Sequence, residues 1–189
     1  MATLTFLGSS GAVPAVGHDN VSLALEGEQS TLLIECAGSP LLKVQLAGIE
    51  PSQLEYLILT HRHPDHMYGY PMLMVGLWLL GCQREALQVV AEAETLETAH
   101  ALLEVFRPEE WPGFCEPEYR EVPLTEHEEA MELPDLLVTA SPVEHLVPTT
   151  ALRIVSKSSG CSVVYSSDTS PCESLVRLAR GADTLIHEA

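Results

Sequence analysis

The sequence predicts an α/β protein of the layered kind, with two β-sheets and helices packed on their outer faces. Three observations predict it. Short apolar runs of strand length fill both the first and the last thirds of the chain. Helical patterns are interspersed among them rather than alternating strictly, which argues against a single doubly wound sheet. A composition of 46% hydrophobic but only 5% aromatic residues requires a core of Leu, Val, Ile and Ala. At 189 residues the chain is expected to form one domain spanning 1–189, long enough to bury a core of its own.

The elements follow in order. "TLTFLGS" reads as a strand that stops at Gly8, "VSLALE" as an alternating strand and "STLLIEC" as a longer buried one. In "SPLLKVQLAG" Ser39 is placed as N-cap and Pro40 at the first helical position, with Gly48 past the end. "LEYLILT" is a strand that runs directly into His61. "GYPMLMVGLWLL" reads as a helix, "LQVVAEA" as a strand and "ETLETAHALLEVF" as an amphipathic helix. The stretch from Pro108 to Glu118 is irregular. Strands return as "YREVPL", "AMEL", "DLLVTASPV", "TTALRIVSK" and "CSVVYSSD", the last two joined by a turn at Ser158, Ser159 and Gly160. A final helix is expected to be capped by Ser170, to start at Pro171, to have Glu173 in a capping box and to end at Gly181. "DTLIHEA" is the closing strand.

Charge narrows the partners. The formal net charge is −18, with only nine Lys and Arg residues and no basic run. Such a surface repels nucleic acid and anionic membranes, because phosphate binding depends on cationic side chains displacing counterions. A nucleic-acid partner and a membrane partner are therefore not expected. The apolar run from Met67 to Cys82 is too short to span a bilayer and contains Pro71. Five cysteines, none in Cys-x-x-Cys spacing, and no signal peptide at Met1 point to reduced thiols in a cytoplasmic protein.

The densest chemistry is "THRHPDHMYGYP", Thr60 to Pro71, where three histidines and an aspartate fall within six residues. Imidazole and carboxylate together suit zinc, manganese or iron. His61 and His63 alternate at a strand end and so point the same way, whereas Asp65 and His66 follow the turn that Pro64 imposes. Two ligand pairs in one loop can serve two ions, which in two-metal hydrolases lie about 3.5–4 Å apart.

A strand, "HRHPDH" and then an apolar helix resemble the metallo-β-lactamase superfamily. "LTFLGSSGAVP", "EHLVPTTALRI" and "SSDTSPCESLVRLARGADTLIHEA" resemble its ribonuclease Z branch, so the resemblance covers nearly the whole chain. It implies a four-layer αββα sandwich with the metals at one edge of the sheets. It also implies a metal-dependent hydrolase in which His61, His63 and His145 hold one divalent ion, Asp65 and His66 hold a second, and Asp168 bridges them. The nucleophile would be a hydroxide activated by the dinuclear site. Asp65 would orient it, and His187 would help protonate the leaving group. Zinc suits the histidine-rich set, and manganese and iron also fit. His18, His100 and His127 are read as structural or solvated, as are Glu144 and Glu188. The branch commonly forms homodimers, and the apolar helix after His66 could contribute to one.

Three departures from the branch shape the functional expectation. The branch takes one more histidine from beyond "HEA", and this sequence ends at Ala189. Either part of the C-terminal region is missing from the sequence, as its abrupt end in an apolar strand suggests, or the second ion site is incomplete. The long arm that grips transfer RNA has no room in the 23 positions from His145 to Asp168. The charge is also wrong for a polyanion. The expected activity is therefore hydrolysis of a small-molecule phosphodiester. Lactone or thioester hydrolysis, ribonuclease Z-like RNA processing and a non-catalytic metal-binding scaffold are the alternatives.

Overall fold

The computed structural model describes residues 2–82 and 86–188. Ala189, the last residue of the expected closing strand, lies outside them. Two sheets stack face to face. The first has six strands in the order β1 (Thr3–Gly8), β2 (Ser22–Glu26), β3 (Thr31–Ile34), β4 (Tyr56–Ile58), β5 (Gln88–Ala91) and β6 (Glu118–Glu121). The second has five, in the order β11 (Thr184–Ile186), β10 (Ser162–Tyr165), β9 (Thr150–Ser156), β8 (Leu136–Pro142) and β7 (Glu128–Glu132).

Helices α1 (Pro40–Leu46), α2 (Pro64–Met67), α3 (Tyr70–Leu79) and α4 (Ala93–Glu104) link the strands of the first sheet, and α5 (Glu173–Ala179) links β10 to β11. The expected four-layer αββα sandwich is the observed architecture. From β3 to β6 the pairing is parallel, as it must be when a helix carries the chain back between strands. The second sheet is antiparallel apart from the β10–β11 pair.

Strand periodicity divides the core. On β2, Leu23 and Leu25 enter the cluster between the sheets, and Ala24 between them faces the helical layer. On β3, Leu32 and Ile34 point one way and Leu33 the other, and all four residues of the strand are buried. Its uninterrupted apolar run reflects burial on both faces. A smaller cluster joins Ala151 and Val164 to Leu175 and Leu178 of α5.

The helix expected over "GYPMLMVGLWLL" is α3, and Gly69 separates it from the short α2. A Cβ there would lie 2.8 Å from Gly38 O and 2.9 Å from Cys36 O, so the glycine lets the helical layer seat against the loop after β3. Local details differ from the expectations in two places. The strand expected as "AMEL" begins two residues earlier, at Glu128. The last helix is capped by Cys172 rather than Ser170 and starts at Glu173. The backbone explains this: Ser170 N donates to Glu144 O at 2.8 Å, which holds Ser170 extended beyond the point where a helix could begin.

Candidate metal centre

The loops that leave β4, β8 and β10 meet at one edge of the sandwich. β4 ends at Ile58, and one further bond, Leu59 N to Val90 O at 3.0 Å, carries the ladder on before the chain is released as "THRH". Thr60 and His61 are fully buried. His63 caps α2, with Pro64 at its first position, and the short helix turns Asp65 and His66 back towards the cluster.

The sequence-predicted residues come together. His63 Nδ1 lies 3.0 Å from His61 Nε2 and 3.0 Å from His145 Nε2. His66 Nε2 lies 3.4 Å from Asp168 Oδ1 and 3.7 Å from Asp65 Oδ2. Three groups of donor atoms result, each with its members within 4.8 Å of one another: His61, His63 and His145; Asp65, His66 and Asp168; and Glu35, His61 and His66. His187 stands slightly apart. Its Nδ1 pairs with Ser166 Oγ at 2.9 Å, and the residue borders a cavity that Asp168 also lines.

The donor set fits a cation. The two ring nitrogens of His66 are buried, and neither makes a hydrogen bond of good alignment, although carboxylates stand close to both. Orphaned buried nitrogens carry a desolvation penalty that a ligated ion would relieve. The ring nitrogens of His61 and His145 likewise converge on His63 Nδ1, and imidazole and carboxylate are the ligands that suit a divalent transition ion.

The electrostatics of the two halves differ. Burial, reinforced by His66 nearby, pushes the His61 ring down to about 2, so it is held neutral. Burial also works against a proton on His66, yet Glu35 and Asp168 beside it lift that ring to about 10. Contact with His66 holds the Asp168 carboxyl below its usual value, against the opposing effect of burial.

The sequence reading overlooked a buried support beneath the cluster. Glu35, wholly buried at the end of β3, has a left-handed backbone with φ 63°. Its carboxylate accepts from Thr60 N at 3.2 Å and from the Thr60 hydroxyl, and it approaches His66 Nδ1 at 3.2 Å. Thr60 Oγ1 pairs in turn with Ser167 Oγ at 2.6 Å and with His61 Nδ1 at 3.1 Å. Ser167 also lies in the left-handed region, φ 54°, and delivers Asp168 to the cluster. The one sequence signal was an acid closing the apolar run "TLLIE", a place where an unpaired charge would be costly. Glu188, read as structural or solvated, is exposed and accepts the N–H of Thr169 next to Asp168. His18, His100 and His127 fall in none of the three groups.

Comparison with known proteins places this geometry. The family profile described as "Beta-lactamase superfamily domain" matches residues 32–189. A ribonuclease Z of Mycobacterium sp. (strain KMS) is 29% identical over 198 residues, covering 100% of this chain and 69% of that protein. The ribonuclease Z of Methanothermobacter thermautotrophicus is 26% identical, covering 100% of this chain and 74% of that protein. Among solved structures, the short form of human tRNase Z superposes with a TM-score of 0.82 at 20% identity, over 100% of this chain and 78% of that one. A diphosphatase of the PhnP family gives 0.71 at 21% identity, over 97% and 72%.

Proposed function

Because the chain belongs to the metallo-β-lactamase superfamily, in its ribonuclease Z-like branch, and is a metal-dependent hydrolase, we propose that it hydrolyses small phosphodiesters at the histidine–aspartate cluster. The observation that carries this reading is that two donor groups with no residue in common, His61, His63 and His145 on one side and Asp65, His66 and Asp168 on the other, are joined by a third that takes His61 from the first and His66 from the second. Adjacent sets of this kind suit two ions side by side rather than one.

In this reading His61, His63 and His145 hold one ion, Asp65 and His66 hold the other, and Asp168 lies between them. Two divalent ions there would supply an activated water and polarise the phosphoryl oxygen. Zinc is the ion the histidine-rich set favours, with manganese and iron as further candidates. Asp65 orients the attacking water and takes its proton. His187, held by Ser166, returns a proton to the leaving oxygen. A small anion needs cationic charge only at the cluster itself, which agrees with nine Lys and Arg residues against 27 Asp and Glu.

RNA processing is the second reading, favoured by the ribonuclease Z relatives. It would require basic surface from elsewhere. The odd number of cysteines, none in Cys-x-x-Cys spacing, is what supports a cytoplasmic setting. Met72 and Leu79, exposed on α3, are where a second copy would pack. No helix among the described residues is long and apolar enough to cross a membrane.

The test is turnover by metal-reconstituted protein on four substrates: a chromogenic phosphodiester, a lactone, a thioester and a transfer-RNA precursor. The proposal expects the phosphodiester to be turned over fastest. Robust cleavage of the RNA alone, or of the carboxylic esters alone, would overturn it.

A further inference from the structure

We infer that the cavity beside Asp168 and His187 is the leaving-group pocket, and that it selects an uncharged, ring-bearing leaving group, an aryl or nucleoside alcohol, with Phe6 as its stacking face. The inference rests on the phosphodiesterase reading and adds to it the chemistry of the group expelled.

The cavity has a volume of about 420 Å³, within the range of small-molecule sites. Asp168 and His187 both line it, so whatever occupies it lies next to the cluster and next to the proton donor of the proposed reaction. Phe6, Val21 and Ile186 give it apolar surface, and Ser9 belongs to its polar wall. Phe6 is 56% exposed on β1, an aromatic face left open to a site rather than buried in the core. Exposed aromatic faces at ligand sites bind planar rings by stacking.

Among the described residues, no Lys or Arg lines the cavity, whereas Asp168 and Glu188 both do. The nearby ammonium of Lys43 is buried, with Asn20 O at 3.1 Å, Ser22 Oγ at 2.9 Å and Asp19 Oδ2 at 3.3 Å taking its three protons. Arg62, beside the metal motif, pairs with Glu94 at 3.1 Å. The backbone amides of Ser9 and Ser10, which could have formed an anion nest, both donate to Asp19 O, at 3.1 and 2.9 Å. A leaving group carrying its own phosphate would meet the Glu188 carboxylate and no Lys or Arg, and the proton of His187 is committed to the leaving oxygen.

The wall is also fixed. Asn20 is buried, donates from Nδ2 to Gly11 O at 2.6 Å and accepts from the Tyr68 hydroxyl at 3.3 Å. Lys43 holds the backbone of Asn20 from below. Residues 9–11 therefore cannot swing away to admit a larger chain without breaking this clasp.

The experiment compares methyl phenyl phosphate with methyl para-sulfophenyl phosphate, whose added sulfonate is charged but inert, on metal-reconstituted protein. In parallel, titration calorimetry measures binding of the two corresponding phosphonates, in which a methylene replaces the aryl oxygen so that the ring cannot be expelled. The expected result is about a tenfold or greater preference for the uncharged ring, expressed in KM and in phosphonate Kd. Phe6→Ala should raise both by about tenfold for the uncharged ring, with Phe6→Tyr retaining most of the affinity. Equal KM and Kd for the two rings, or no change in Phe6→Ala, would overturn the inference while leaving the phosphodiesterase reading intact. Turnover of neither ester would sink the phosphodiesterase reading, and the phosphonate affinities would then decide the pocket's preference by themselves.

Discussion

His66 Nδ1 faces Glu35 Oε1 at 3.2 Å, with both side chains wholly buried. The carboxylate arrives from the end of β3 and the ring from α2, so two separate elements fix which nitrogen of His66 turns towards the cluster. A carboxylate behind a ligating imidazole sets its tautomer and strengthens it as a donor. Glu35→Gln is expected to keep the fold and to weaken metal binding by about 10–100-fold. Competition against a chromophoric chelator, with circular dichroism as the control for folding, measures this. Wild-type affinity in the variant would remove Glu35 from the site's support.

Metal content tests the shared-ligand arrangement directly. Protein reconstituted with zinc is expected to hold two ions per chain, and Asp168→Ala one or fewer, by elemental analysis. Removing the ions with a chelator should lower Tm, because binding to the native state alone stabilises it. With free ion at about 100 times Kd, that linkage amounts to about 2.7 kcal/mol. A Tm indifferent to chelation would mean the cluster does not load.

Lys43 provides a test of the loop that walls the cavity. Its side chain is 8% exposed and its partner Asp19 39%. Removing one member of a buried pair strands the other, but Asp19 can turn to water. Lys43→Met is therefore expected to cost about 2–3 kcal/mol, below the full range for buried pairs. Tyr68→Phe, which removes only the bond to Asn20, should cost about 0.5–1 kcal/mol. Urea denaturation of both variants gives the comparison, and equal costs would mean the ammonium is not the centre of the clasp.

Acid should loosen the far end of the sandwich. Asp135, just before β8, accepts the N–H of Gln29 at 2.9 Å and so ties the β2–β3 turn to the second sheet. Burial alone would raise its carboxyl, yet this N–H and its neighbours hold it below the ordinary 3.8. A carboxyl depressed on folding stabilises the protein above its unfolded value, and that contribution is lost as pH falls through the lower folded value. Asp135→Asn is thus expected to lower Tm at pH 7, with the difference shrinking towards pH 3. A constant difference across that range would contradict the assignment.

The sequence by itself determined the strands, most helix limits and the metal motif, because each is written in neighbouring residues. Alternation, as over Leu136 to Ala140 in β8, records which face is buried, and Pro64 after His63 records where the chain must turn. Gly48, predicted to lie past the end of α1, has φ +80°. Only the tertiary structure decided what depends on contacts between distant segments. Ser170 has the local chemistry of an N-cap, but its backbone is taken by Glu144 from another loop. Glu35 closes an apolar strand, and its partners, Thr60 and His66, come from segments 25 or more positions away. Lys43 lies within a short predicted helix, and only the contacts with Asp19 and Asn20 from another segment bury its ammonium. In each case the deciding energy is the desolvation of a polar group, and desolvation exists only once the chain has folded around it.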